Sequence, residues 1–518
     1  MTTKHKVLYV PLDDRPCNYQ YPLLLAGITD DVELLAPPFS LMGRLKRAAD
    51  TDAIWDWLFE QAADAEYAVL SVDTLVYGNI IHSRIHQRTM AQIDGYLENF
   101  RRLKKRFPRL SIHAFNLVAR VAGYDGSFED PDYWADYGRR IWRYGWLTDR
   151  ISRGAADEKE AAELAEITAA IPADILADFL SRREKDAYVN ARSVELVKEG
   201  VFDRLVVPKD DTAEYGYAAI DQKKLSKKIF DERVMDRVMV YPGADEVGSV
   251  LFARVFCLIK GYRPRIYVRF SSTLGPTVIP RYEDRPLAES IKAQITSLGG
   301  ILTGSAAESD FLFAVHSPGR FQIECGEQEN RDLSFVTHTN LHEFFAYMRD
   351  YAETRRRPVA LSDVAYCNGA DIAMMRHAQQ AGILELIAAY GGWNTAENTN
   401  GMCLAHACIH SYYAARGFAG EGERRSREFC ARKVFEDYLF QATIITEGCA
   451  EIEKRYPGHS PYYCADIEDE VAAFTGGRLR EKIEAEFNGR FQGRTVPIGD
   501  FTLPWDRVHE LGFTLTLA

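Results

Sequence analysis

The sequence predicts an α/β protein built from parallel sheets with helices on both faces, arranged as two Rossmann-like lobes with a helical insertion and a C-terminal cap. Three observations predict it. About ten short apolar or β-branched segments recur along the chain. Each leads through a polar or Gly-containing turn into a stretch of helical period. The segments are continuously apolar instead of alternating, as strands covered on both faces are. The alternative with the same rhythm is a (β/α)8-type barrel with additions.

Taken in order, the first five strands are read at "KVLYVPL", "VELLAPP", "YAVLSVD", "SIHAFNLV" and "DRLVVPK". Between the fourth and fifth, near residues 127–200, "ADEKEAAELAEITAA" and "DAYVNARSVELVKEG" carry helical spacing, capping acids and the closing Gly200, and read as packed helices. The charged connection "SKKIFDERVMDR" ends a first domain, residues 1–235. A second α/β domain, residues 236–415, holds "RVMVYPG", "RIYVRFS", "DFLFAVH", "PVALSDV" and "LELIAAY". The rhythm then stops, and "EKIEAEFNGRF" before "RTVPIGDFTL" makes residues 416–518 a mainly helical cap with a terminal extended segment.

Composition bounds the function. At 518 residues, 47% hydrophobic and 27% charged, the chain is globular, with room for two large domains or about three smaller ones. A net charge of −12 repels nucleic acid and anionic membrane surfaces. The one basic run, "RRLKKRFPRL", reads as the solvated last turns of a helix, where cations oppose the helix dipole. The N-terminus "MTTKHKVLYV" lacks a signal-peptide apolar region, and no stretch approaches the ~18 apolar residues of a membrane span. Nine cysteines, an odd number without a CxxC pair, fit a reducing compartment. The expectation is a cytoplasmic protein with a small-molecule partner, neither nucleic acid nor membrane; a homo-oligomer is compatible with it.

In parallel α/β folds ligands collect at the strand carboxyl ends, and the unusual polar residues of this chain lie there. Strand one ends at Asp13, Asp14 and Arg15; strand three at Asp73, followed by Tyr77, Ser83 and Arg84; strand four at Asn116 and Arg120. Strand five ends in "KDDTAEYG" with Asp210 and Asp211, and strand six in "PGADEVG" with Asp245 and Glu246. Asp363, Asn368 and Asp371 follow strand nine, and "YGGWNTAENTNG" follows strand ten. Any one of these could be a capped turn.

No GxxxxGK[ST] or GxGxxG follows a strand, which argues against cradling ATP or a dinucleotide, and no GxSxG elbow is present. Cys403, His406 and His410 share one helix face, but without the HExxH glutamate they read as buried core residues, not a zinc site. Carboxylate acid–base chemistry on a polyhydroxylated substrate remains. Two carboxylates ~4 Å apart repel by about 4 kcal/mol at an effective dielectric of 20, enough to separate their proton affinities by about three pH units. One member of such a pair then works as an acid near neutrality.

The ordered segments "VPLDDRPCN", "SVDTLVYGNIIHSR", "KDDTAEYG", "YPGADEVG" and "YGGWNTAENTNG" resemble the signature segments of a bacterial family catalogued as domain of unknown function 4127. The resemblance runs from strand one to about residue 410, and "RREKDAYVNARSVELVKEGVFDRLVV" is similar to the family's arginine- and asparagine-bearing helix. It implies that Asp13, Arg15, Asp73, Tyr77, Gly78, Ser83, Arg84, Asp210, Asp211, Gly216, Asp245, Glu246, Trp393, Asn394, Thr395 and Asn398 are family features. It transfers no reaction. Asn79, Glu397 and Asn400 depart from the pattern, at positions able to retune a pocket.

The function expected is therefore a hydrolase, a glycosidase for small sugars or glycosides without a cofactor. Asp210, Asp211, Asp245 and Glu246 are the candidate catalytic carboxyls. Asp13, Asp14, Arg15, Asp73, Tyr77, Ser83, Arg84, Asn116, Arg120, Trp393, Asn394, Thr395 and Asn398 are the candidate substrate contacts, with Asp13 and Asp73 as alternative carboxyls. Arg15 should keep at least one neighbouring aspartate ionised, which makes Asp13 and Asp14 positioners. The competing readings are a Mg- or Mn-dependent enzyme, such as a sugar isomerase or phosphoesterase, using the same aspartates, and a non-enzymatic sugar or metabolite sensor.

Overall fold

The computed structural model describes residues 4–518 and separates into two compact units. The first holds the chain up to Asp14, Glu33–Gly248 and Tyr282–Asp284. The second holds Arg15–Val32, Ser249–Arg281 and Arg285–Ala518, so the helices after residue 416 are counted with it.

In the first unit, β1 (His5–Val10), β2 (Val32–Leu35), β3 (Tyr67–Ser71), β4 (Ser111–Phe115), β5 (Arg204–Lys209) and β6 (Val238–Pro242) form one six-stranded sheet. The order is β2-β1-β3-β4-β5-β6, and the pairs from β1–β3 to β5–β6 are parallel. Four consecutive β1 residues, Val7 to Val10, are fully buried, as the unbroken apolar run demands of a strand covered on both faces. The order places a switch point between β1 and β3, because the chain leaves β1 toward one edge and returns on its other side.

The insertion is three helices, Trp134–Ser152, Glu158–Ala170 and Ala173–Lys198. Asp157 and Glu160 form a capping box at the second of them. Trp134, Ile141 and Phe179 give the insertion a small core of its own. The basic run closes the helix Met90–Arg106 with Lys104, Lys105 and Arg106 in its last turn, as read from the sequence.

In the second unit, β7 (Arg265–Phe270), β8 (Ile301–Leu302), β9 (Phe311–His316), β11 (Val359–Asp363) and β13 (Ile387–Gly391) pair in parallel in the order β13-β11-β9-β7-β8. β10 (Ile323–Glu324) and β12 (Tyr366–Cys367) make a separate short ladder. With β7 in the role of β1, this is the strand order of the first sheet without its last strand, although the sequence carries no internal repeat. β8 was not expected, since two paired residues leave no apolar run to detect. The core extends over the helices Glu421–Val434 and Glu468–Phe487 and the π-helical stretch Phe435–Ile444. The chain closes on the short hairpin β14 (Arg490–Phe491) and β15 (Arg494–Thr495), then on β16 (Ile498–Thr502) paired with β17 (Gly512–Leu515). Among the described residues no helix is long and apolar enough to cross a membrane.

Candidate functional site

At the switch point of the first sheet, Asp13 and Asp14 follow β1 and are buried, and Asp73 opens the short helix after β3. Thr74 ties these two strand ends together, its Oγ1 lying 2.6 Å from the Pro11 carbonyl oxygen and 2.9 Å from that of Leu12. Asp73 accepts the Leu117 N–H at 2.9 Å and the Asn116 amide at 3.2 Å. Burial outweighs these donors and, with the charge of Asp186, raises its carboxyl to about 7. Asn116 accepts in turn from Asn190 at 2.7 Å, which binds the long insertion helix to the end of β4. Asp73 and Asn116 thus fix the floor of this edge, with polar atoms committed to one another. Ser83 donates to the Ile80 carbonyl, and Tyr77 stacks on His86 with ring centroids 4.4 Å apart, so both are held within the fold.

The charged centre lies at the end of β5. Arg84 donates to Asp210 at 2.6 Å and to Glu129 at 3.2 Å. Arg120 meets Asp211 and Asp130, each at 3.2 Å, and Glu129 at 2.8 Å. From the insertion helix, Arg183 pairs with Asp221 and donates to the Ala119 carbonyl, while Arg182 pairs with Asp178 and donates to the Arg84 carbonyl. A cavity opens between these arginines, Asp130, Asp186, Trp134 and Phe179. Every guanidinium that lines it is met by a carboxylate, so the cavity presents both donors and acceptors without surplus positive charge.

Asp211 differs from the other acids of this group. Its side chain is 28% exposed against 10% for Asp210, 15% for Glu129 and 4% for Asp130. Its backbone takes φ 39°, a conformation that residues other than glycine, asparagine and aspartate rarely adopt. Burial of the carboxyl and the neighbouring charge of Asp210 raise it to about 6, against the pull of Arg120 and Arg84. Both carboxyls at the end of β5 are thus arginine-bound, and Asp211 is the one raised far enough to hold a proton.

On the neighbouring β6 turn, Asp245 and Glu246 are both buried. Glu246 accepts the Ala244 N–H at 3.0 Å, and Gly243, at φ 140°, lies so close that a Cβ there would fall 2.3 Å from Glu246 Oε1. The turn is built around that carboxylate.

A family model described as "Protein of unknown function (DUF4127)" matches residues 7–514. The chain belongs to this family. No curated protein matches it. The match covers both sheets of this DUF4127 protein and both sets of strand ends, including the C-terminal helices that the sequence resemblance left out.

The remaining expected contacts belong to the second unit. Arg15 precedes the helix Pro16–Gly27, lies 4.3 Å from the ring centroid of Trp505 and stands 3.7 Å from Glu510. Trp393 follows β13, with Lys433 Nζ 5.8 Å from its ring centroid and Thr399 Oγ1 donating to its carbonyl at 2.6 Å. Asn394 takes φ 72°, and its side-chain oxygen accepts the N–H of Thr395, the cap residue of the helix Ala396–Ala414, which carries Asn398. His406 and His410 both lie 2.9 Å from Ser426 Oγ, a core arrangement. Among the described residues of the DUF4127 chain, no three His, Cys, Asp or Glu are grouped to hold a metal ion.

Sequence reading did not single out Glu129 and Asp130, because they lie in a loop without a strand end to mark it. Arg182 and Arg183 had a signal in the paired arginines of the insertion helix.

Proposed function

We propose that the first unit carries the acid–base site of a hydrolase acting on small neutral glycosides. The observation that carries this reading is the carboxyl pair at the end of β5: Asp211 with its proton held to about 6, beside Asp210 on Arg84. Glycosidic cleavage requires one carboxyl that keeps its proton near neutrality with a second carboxyl beside it. In this reading Asp211 gives its proton to the leaving oxygen as the glycosidic C–O bond breaks. Asp210 supplies the negative charge that an oxocarbenium-like transition state needs, and water adds to the sugar carbon and returns a proton to Asp211. Asp245 and Glu246, on the adjoining turn, remain the further carboxyls of this edge. The balanced arginines favour a neutral polyol over a phosphate, because a phosphate would need cationic charge not already met.

A panel of nitrophenyl glycosides tests the reading with wild type, Asp211→Asn and Asp210→Asn. Turnover by wild type, lost about 100-fold or more in Asp211→Asn and unaffected by chelator, is expected. Loss of turnover with chelator would favour the metal-dependent alternative. Tight binding without turnover across the panel would make the protein a sensor.

A further inference from the structure

The second sheet has its own switch point, between β7 and β9, and its strand ends carry a different chemistry. Ser271 follows β7, and His316 is the last residue of β9. His316 Nδ1 lies 2.9 Å from Ser271 Oγ, and its Nε2 lies 3.1 Å from Asp371 Oδ2. Asp371 caps the helix Ile372–Gln380, its Oδ1 accepting the N–H groups of Ala373 and Met374 at 2.9 and 3.1 Å, which leaves Oδ2 for the imidazole. Asp363, at the end of β11, accepts the N–H of Asp371 at 2.7 Å and fixes the cap from behind. One tautomer satisfies the set: a proton on Nε2 faces Asp371, and the Nδ1 lone pair faces the serine hydroxyl.

We propose that Ser271 is a nucleophile, activated by His316 and oriented through Asp371, for a carboxylic ester or a comparable activated acyl group. This does not rest on the glycoside reading, which concerns other residues in the other unit. Three observations that a chance buried histidine would not need support it. The imidazole is bound on both nitrogens, by a hydroxyl on one side and a carboxylate on the other. Ser271, the member a substrate must reach, is the most open of the three at 9% exposed, against 2% for His316 and 5% for Asp371. Beside it, the Ser317 N–H donates to Ser271 Oγ at 3.1 Å. Ser317 is 1% exposed and its buried hydroxyl has no hydrogen-bond partner among the described residues, which leaves a donor for the acyl oxygen. Gly275 crosses this hydroxyl so closely that a Cβ would lie 2.1 Å from it.

The reaction balances within the set. Ser271 Oγ bonds to the acyl carbon as its proton passes to His316 Nδ1. The C–O bond to the leaving alcohol then breaks, and the alcohol takes that proton. Water cleaves the acyl-serine by the same route, releasing the acid and restoring Ser271. His316 faces Asp371, Asp363 and Arg331 as well as Ser271; burial opposes its charge, but the two aspartates prevail and raise its proton affinity above the ordinary value. It becomes a free base only as pH rises above the usual histidine range.

A fluorophosphonate probe on the full chain reads Ser271 directly, since its Oγ–P bond forms as fluoride leaves. One adduct by intact mass, mapped to Ser271 and absent in Ser271→Ala, is expected. The labelling rate should rise with pH above about 6.5 and fall about 100-fold in His316→Gln, with folding checked by circular dichroism. No adduct on folded wild type, an adduct at another serine, or a labelling rate independent of pH would overturn the proposal, the last two even if His316→Gln does not fold.

Discussion

Asp210 and Asp211 are consecutive in the chain, yet they bind different arginines: Asp210 meets Arg84 at 2.6 Å and Asp211 meets Arg120 at 3.2 Å. Asp211 takes a positive φ at this turn, which its short polar side chain tolerates. If Asp211 is the proton donor, kcat/KM should fall above about 6, where the carboxyl loses its proton. Asp211→Asn should remove that limb together with most of the activity, and a pH–rate profile on any turned-over glycoside checks both.

Arg84 is a buried cation shared by two acids of this edge. Its side chain is 5% exposed, and it faces Asp210 at 10% and Glu129 at 15%. Arg84→Met should therefore cost about 3–5 kcal/mol, because it strands the buried Asp210 without its counter-charge, whereas Glu129 keeps Arg120. Arg84→Met with Asp210→Asn should recover part of that loss, and urea midpoints of the two single variants and the double variant measure the coupling.

What could be read in the sequence follows from what a strand leaves in it. Residues such as Val7–Val10 and Phe311–Val315 are buried on both faces, so an unbroken apolar run marks each strand and fixes where its polar end begins. Asp73, Asp210 and Asp363 could be placed on that basis. Their roles could not, because a role depends on partners: Asp73 accepts from Leu117, while Asp210 faces Arg84, 126 positions away. The order of parallel strands leaves no local trace, since each crossover helix looks alike whichever neighbour it leads to. Ser271, His316 and Asp371 are separated by 45 and 55 positions, a spacing set by whole strand–helix units that no short motif could announce.

His406 and His410 should make the fold acid-sensitive. Burial, the largest cause for both, lowers their proton affinity, that of His410 to about 4. In the unfolded chain each takes a proton near 6.5, while the folded protein resists until the lower value. Stability is thus fully present above 6.5 and is lost as pH falls toward 4, by at most about 3 kcal/mol for His410. His410→Asn keeps an acceptor near Ser426 and should flatten this part of the curve in urea titrations at pH 4–7.

Asp73 should act in the opposite direction. Its carboxyl is raised from 3.8 to about 7, chiefly by burial, so the folded state binds a proton that the unfolded state has already released. The fold therefore pays nothing below 4, loses stability as pH rises from 4 to 7, and carries the full penalty above 7, on the order of 4 kcal/mol. Asp73→Asn removes this titration but also puts an amide where two donors, Leu117 N–H and the Asn116 amide, both seek an acceptor. The variant should be the less stable protein at pH 5, where wild-type Asp73 is mostly neutral. The difference between the two should then narrow or reverse by pH 8, because only wild type has paid to ionise. Urea midpoints of both proteins across pH 5–8 isolate that change, since the lost acceptor is a constant offset. Parallel curves would mean that Asp73 does not titrate in the folded protein between pH 5 and 8.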